Sequence, residues 1–300
     1  MNAQQTSSDP NALSVESARS ERYTHSFPGA KYLLPADEEE RSRLALQHEL
    51  FKRVMGGRMV LPPISISPGA EILDSGTGSA IWLMDCCKQL PPSCQFYGID
   101  IESKLFPDTS LDTPSNLHLS VASVTALPRN WAEKFILVNQ RLLMAGLTLQ
   151  NWKLGLEDIY RVLKSGGYVQ LLESDSDSIQ SGPETAAGAN LLHHIMVTNG
   201  LNPECSKTIG EMLTAVGFVD VHSEDVIVQI GKWAGRDGTD ARDDFGNAFK
   251  GLKDSVVRAG GMGYAASPEE FDRKISMMVE EWDQTEGSCA KLKAFYARKP

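Results

Sequence analysis

The sequence predicts an α/β fold, a three-layer αβα arrangement around a mostly parallel sheet of seven strands. Two stretches and one pattern predict it. Ala70–Trp82 carries Glu71-Ile72-Leu73-Asp74 into Ser75-Gly76-Thr77-Gly78-Ser79-Ala80, an apolar run that ends on an acid and breaks into a glycine turn. Phe96–Glu102 repeats the apolar run with Asp100 at its end. Adjacent parallel strands of a nucleotide-binding sheet read this way. Downstream, strand-length apolar runs alternate with helical patterns, which implies βαβ units.

Three hundred residues accommodate one large domain with an insertion, and 41% apolar content is enough for a packed core. The 29 basic residues are outnumbered by 39 acidic ones, and no Lys/Arg run interrupts that balance. A nucleic-acid partner is disfavoured, because phosphate binding shows a basic patch. Cys86, Cys87, Cys94, Cys205 and Cys289 are odd in number and contain no C-x-x-C pair, so neither a disulfide framework nor a zinc site is expected, and no other metal is predicted. With no secretory signal and no apolar run near the roughly 20 residues of a membrane span, the expectation is a cytoplasmic protein that does not engage a membrane.

Each element follows in order. Residues 1–20 are rich in Ser, Asn, Gln and Ala and are expected to form a disordered tail. Residues 21–69 form an N-terminal arm and helix. Tyr23, Phe27, Tyr32, Leu33 and Leu34 mark a partly buried arm, and Pro35 with Asp37-Glu38-Glu39-Glu40 opens a helix that Gly56-Gly57 ends. Residues 70–300 form the main domain. Strands are expected at Glu71–Asp74, Cys94–Asp100, Leu117–Val121, Phe135–Asn139 and Tyr168–Glu173. Helices are expected at Ala80–Gln89 and Leu147–Leu163, the second closing at Lys164-Ser165-Gly166-Gly167 with glycine in a left-handed cap. Residues 185–198 and 206–216 read as helices and Phe218–Ile230 as the sixth strand. A helical insertion occupies about 239–283, its last helix started by Ser267-Pro268-Glu269-Glu270, and Ala294–Ala297 supplies the final strand.

The glycine turn lets a ligand approach bare backbone. A dinucleotide fingerprint needs G-x-G-x-x-G, but its third glycine position falls on Ile81. Asp74, two residues before Gly76, would repel a pyrophosphate. It suits a ligand bearing an ammonium group and no phosphate, as S-adenosylmethionine does. Asp100 can accept ribose hydroxyls, a role that serves either ligand.

These segments resemble class I S-adenosylmethionine-dependent methyltransferases. Asp74-Ser-Gly76-Thr-Gly78-Ser-Ala80 resembles that family's first motif, and Asp100 its ribose-binding acid. Phe135–Asn139 resembles its fourth strand, and Arg161-Val-Leu-Lys-Ser-Gly166-Gly167-Tyr the segment before its fifth. Within the family the chain is similar to the LaeA/UMTA-like fungal branch through Tyr32–Glu39, Arg43-Leu44 through Gln47-His48, Thr77–Trp82, Asn139–Met144, Trp152 and Tyr296–Pro300. Two positions depart from the family pattern: Ala80 replaces a third glycine, and Ser123 an acid that faces the adenine amino group. The resemblance implies a Rossmann-like methyltransferase fold, S-adenosylmethionine as cofactor, and methylation of a small secondary metabolite. Alternative implications are a catalytically silent regulator of secondary metabolism, or a cyclase-type enzyme on the same scaffold.

On that resemblance, Asp74, Gly76, Thr77 and Gly78 hold the methionyl end, Asp100 the ribose, and Ile101, Ser123 and Val124 the adenine. Asn139 and Gln140 lie beside the sulfonium, while Tyr32, Gln47 and His48 close over the cofactor as a lid. Candidate bases are His193, His194, Glu173 and Asp175; the adjacent histidines point about 100° apart on a helix. Trp82, Trp152 and Trp233 are candidates for an aromatic pocket, with Trp152 at core spacing. The 239–283 region would wall the substrate site, or serve as a dimer contact or plain scaffold. The oligomeric state and the acceptor atom are not legible.

Overall fold

The structure, a computed structural model, describes residues 33–108 and 113–300. The tail expected over 1–20, the arm up to residue 32, and Tyr32 itself lie outside the described residues.

Helix α1, Glu38–Val54, starts where Asp37 accepts a hydrogen bond from the Glu40 N–H at 2.9 Å, and its three leading glutamates suit the positive end of the helix dipole. Strands β1 (Glu71–Ser75), β2 (Gln95–Asp100), β3 (Leu117–Val121) and β4 (Phe135–Arg141) follow, with α2 (Ile81–Gln89) between the first two. Helix α3 (Leu149–Val162) leads into β5 (Leu163–Gln180). Then come α4 (Pro183–Thr198), α5 (Cys205–Val216) and β6 (Val219–Gln229). Helices α6 (Gly235–Gly251), α7 (Lys253–Arg258) and α8 (Pro268–Gln284) precede β7 (Cys289–Arg298). At α8 the Ser267 hydroxyl accepts from the Glu270 N–H while Glu270 accepts from the Ala266 N–H, a variant of the capping box.

The seven strands run in the order β3-β2-β1-β4-β5-β7-β6, with β7 antiparallel to both neighbours and the other pairs parallel. The predicted α/β, mostly parallel seven-stranded architecture is therefore the observed one. Strand alternation divides the core. Ile72, Phe96 and Leu137 face Trp82, Leu83 and Cys86 of α2, whereas Leu73, Ile99, Val138 and Val169 face Trp152 and Ile159 of α3 and Ile209 of α5. A further cluster seats the helices of the insertion on α1 and α4 through Leu50, Phe51, Ile195, Phe249, Met278 and Trp282. Each such buried side chain contributes about 1.5–3 kcal/mol of transfer free energy.

Two local expectations change. Helix α3 ends at Leu163 in extended backbone rather than in a left-handed glycine cap. Gly166, at φ 79°, instead lies in β5 and donates to the Lys299 carbonyl. Strand β5 also runs past Glu173 through the polar Ser174–Ser178 stretch, which bulges between pairings with β7 on either side, Ser174 opposite Leu292 at its start and Ile179 opposite Ala290 and Gln180 opposite Cys289 after it. Among the described residues no helix is long and apolar enough to cross a membrane, and all five cysteines are free.

Candidate active site

The strand order reverses at β1, which has β2 on one side and β4 on the other, and such reversals open a crevice at the carboxyl ends of the strands. A cavity of about 490 Å³ occupies that position. The β1–α2 turn and the ends of β2 and β4 form its base, and α1, α4 and α6 wall it.

The turn is built for close approach. Gly76 has φ 75°, and a Cβ there would meet Leu143 at 3.0 Å; Gly78 has φ 52° and Leu44 at 3.3 Å. Asp74, 3% exposed, accepts from Thr77 Oγ1 at 2.7 Å and Asn139 Nδ2 at 2.6 Å. Burial pushes its carboxyl up, opposed by the Arg141 charge and those two hydrogen bonds. Asp100 accepts from the Gly78 and Glu102 N–H groups at 2.8 and 3.1 Å, which fixes its carboxylate beside the turn. Ile101, Ser123 and Val124 line the same wall, and the Ser123 hydroxyl closes a local turn with Thr125 at 2.8 Å.

The cavity thus gathers Asp74, Gly76, Thr77, Gly78, Asp100, Ile101, Ser123, Val124 and Gln47. Several other candidates fall outside it. Asn139 and Gln140 are each 1% exposed and sit within the sheet, since neighbours on a strand point to opposite faces. Asn139 bridges Asp74 and Gln170, so it positions Asp74 from behind. The wall beyond the end of β4 is made by Arg141–Leu147 instead.

His48 is one residue past Gln47, hence about 100° round α1. It is buried behind the cavity with Nε2 3.2 Å from Asp85 Oδ2, and burial holds its pKa below the usual value. Glu49 and Asp85 lie beside it, but Lys52 and Lys88 already hold the Asp85 carboxylate.

Helix α4 presents Thr185, Ala189 and Leu192 to the cavity at i, i+4 and i+7; His193 and His194 are exposed and do not line it, though His193 Nδ1 lies 3.3 Å from the hydroxyl of Ser176 on the cavity wall. Glu173 is fully buried and does not line the cavity; it accepts from the Leu143 and Met144 N–H groups at 2.7 and 3.2 Å. Burial raises its pKa to about 8, against the pull of those amides. It therefore holds the Leu142–Leu147 loop rather than meeting a substrate. Of the candidate bases Asp175 alone lines the cavity, bonded to the Ser206 N–H and hydroxyl at 2.7 and 2.8 Å. The tryptophans make no aromatic pocket: Trp82 and Trp152 are core residues, and Trp233 donates to the Ile230 carbonyl.

Two features were not anticipated. Arg43 joins Glu40 and Asp244 in a buried cluster, with Gln47 also on Asp244, tying α1 to α6 over the cavity. The Arg43/Gln47 spacing of four residues was the available signal. Arg141, at the end of β4, lines the cavity; it lies in the Asn139–Met144 stretch that carries the resemblance, but no role was expected of it.

A methyltransferase domain family matches residues 72–167. The N-methyltransferase sirN of Leptosphaeria maculans is 29% identical, over 92% of this chain and 98% of that protein. The N-methyltransferase verN of Clonostachys rogersoniana is 30% identical, over 75% of this chain and 76% of that protein. Among solved structures, the methyltransferase of Haloferax volcanii in complex with its Trm112 activator shares the fold at a TM-score of 0.52 and 13% identity, over 88% of this chain and 96% of that one.

Proposed function

The chain belongs to the class I S-adenosylmethionine-dependent methyltransferases, in the fungal branch that serves secondary metabolism, and from that premise we propose that it methylates a nitrogen of a small, largely apolar acceptor. The observation that carries this reading is the lining of the cavity. It joins the acidic glycine turn to the apolar side chains of Ile179, Leu192, Phe245, Phe249 and Leu252, with Asp175 among them. The relatives named as N-methyltransferases support nitrogen as the acceptor atom.

The glycine-turn part of the lining fits the donor. Its acids, Asp74 and Asp100, suit a ligand with an ammonium group and ribose hydroxyls, and the positive-φ glycines leave room a Cβ would fill. When bound, S-adenosylmethionine supplies a methyl group on a cationic sulfur, which leaves with the C–S electron pair as the acceptor lone pair attacks in line. The protein's part is alignment and exclusion of water. Asp74 holds the ammonium, Asp100 the ribose, and Ile101 and Val124 pack on the adenine while Ser123 meets its edge. The α1 and α6 walls cover the reacting centre. Asp175 accepts a hydrogen bond from the acceptor N–H, turns its lone pair toward the donor and takes the proton when the nitrogen must lose one.

Incubation with methyl-labelled S-adenosylmethionine and paired small acceptors, amine or amide against phenol and thiol, tests this. Label on nitrogen is expected. Label on oxygen or sulfur alone would reject the acceptor assignment, and binding of the donor with no transfer would favour the regulator or cyclase reading.

A further inference from the structure

The cations on the cavity wall are Arg43 and Arg141; no lysine or histidine among the described residues lines it. Arg43 is matched, its guanidinium shared between Glu40 at 2.6 and 2.7 Å and Asp244 at 2.7 Å. The Arg141 side chain makes no hydrogen bond or ion pair with any described residue, and Asp74 is the principal charge that acts on it. Arg141 is half-buried and burial disfavours its charge, while its guanidinium donors have no partner among the described residues.

The backbone does not offer an equivalent partner for an anion. In the glycine turn, the Gly76 and Thr77 N–H groups both donate to the Ile99 carbonyl at 2.9 and 2.8 Å. Gly78 donates to Asp100 at 2.8 Å and Ala80 to the Thr77 carbonyl at 2.8 Å. The turn gives a ligand room, but most of its donors are spent within the protein.

Arg141 is also held in place. It pairs with Leu172 at the last position of the β4–β5 ladder. The next residue, Leu142, has φ 55°, a costly conformation for a branched side chain, and its N–H donates to the Leu172 carbonyl at 2.9 Å. The two amides after it are clamped by Glu173. Strain and clamping together stop the strand at Arg141 and fix its backbone at the cavity edge, the pre-organisation a charged subsite needs.

We propose that Arg141 is the subsite for the methionyl carboxylate of the donor, so that Asp74 and Arg141 read the amino-acid zwitterion as a pair, the acid taking the ammonium and the guanidinium the carboxylate. The assignment rests on the reading of the cavity as a S-adenosylmethionine site. The carboxylate is that ligand's one anionic group, and a guanidinium fork matches it in shape as well as charge. Arg141 then acts on donor binding and orientation and takes no part in the bond changes.

The test is calorimetric titration of the full chain with S-adenosylmethionine and with its decarboxylated analogue, in which hydrogen replaces the carboxylate. The wild type should prefer the intact donor by tenfold or more. Arg141→Met should bring that preference close to one, mainly by weakening the intact donor, and Arg141→Lys should restore part of it. An unchanged preference in Arg141→Met would overturn the proposal and point to a carboxylate on the acceptor instead. Equal weakening of both ligands would also overturn it, since it marks a structural role. A wild type that binds neither ligand would instead reject the underlying cofactor reading.

Discussion

Arg43 of α1 donates from Nη1 to Asp244 Oδ1 of α6 at 2.7 Å across 201 residues of chain, and both side chains are buried. The pair, with Glu40, ties the helix that precedes the sheet to the insertion that precedes its last strand, and so fixes the two walls that meet over the glycine turn.

Arg43→Met should therefore destabilise the protein by roughly 3–5 kcal/mol, because it leaves Glu40 and Asp244 buried without their cation. The triple variant Glu40→Leu/Arg43→Met/Asp244→Leu should recover most of that loss, as apolar replacement of a buried ionic cluster often costs little. Urea midpoints at constant m-value measure both.

Ala80 sits at φ 58° just before α2 and is fully buried. A left-handed alanine costs about 1–2 kcal/mol, and glycine lacks that penalty. Ala80→Gly should raise the unfolding free energy by about 1 kcal/mol, whereas Ala80→Val should lower it. Thermal and urea unfolding of the two variants would show the opposite signs.

Glu173 titrates at about 8 in the folded protein against an ordinary value of 4.5. Between those two pH values the unfolded chain has lost this proton and the folded chain has kept it, so this group's contribution to stability falls as pH rises through the window and levels off above it. Glu173→Gln removes the titration. From about pH 4.5 to 8 the unfolding free energy of the wild type relative to that of the variant should fall as pH rises.

His193 and His194 are exposed and neither lines the cavity; His193 touches it only through the Ser176 hydroxyl, 3.3 Å from its Nδ1. Once an acceptor is in hand, His193→Ala/His194→Ala should keep turnover within about twofold, as exposed substitutions leave structure within about 0.5 kcal/mol. Asp175→Asn should lower turnover and change its pH profile while leaving donor affinity near the wild-type value.

The sheet was legible because its strands carry local signals. Glu71–Asp74 and Phe96–Asp100 are apolar runs ending in acids, and the helix start at Ser267-Pro268 is written in its own caps. The same holds for the part of the site made by strand ends, since Asp74, Gly76, Gly78 and Asp100 sit together by virtue of chain order and parallel pairing. The rest depended on where helices pack and how far strands extend. The far end of β5 is a strand because β7 pairs with it beyond the bulge, which no local pattern encodes. His193 reads like a base, but the face of α4 turned to the cavity is set by packing against Phe249 and Met278. Asn139 and Gln140 looked like strand-end residues because β4 was expected to stop at 139, whereas it runs to Arg141. That two-residue extension moves the wall of the site onto Arg141.

Titration with S-adenosylhomocysteine, of the wild type and of Asp100→Ala, tests the placement of the donor most directly. One molecule bound per chain, with affinity at least tenfold weaker in Asp100→Ala, is the predicted result. Absence of binding to the wild type, or equal affinity in the two proteins, would contradict it.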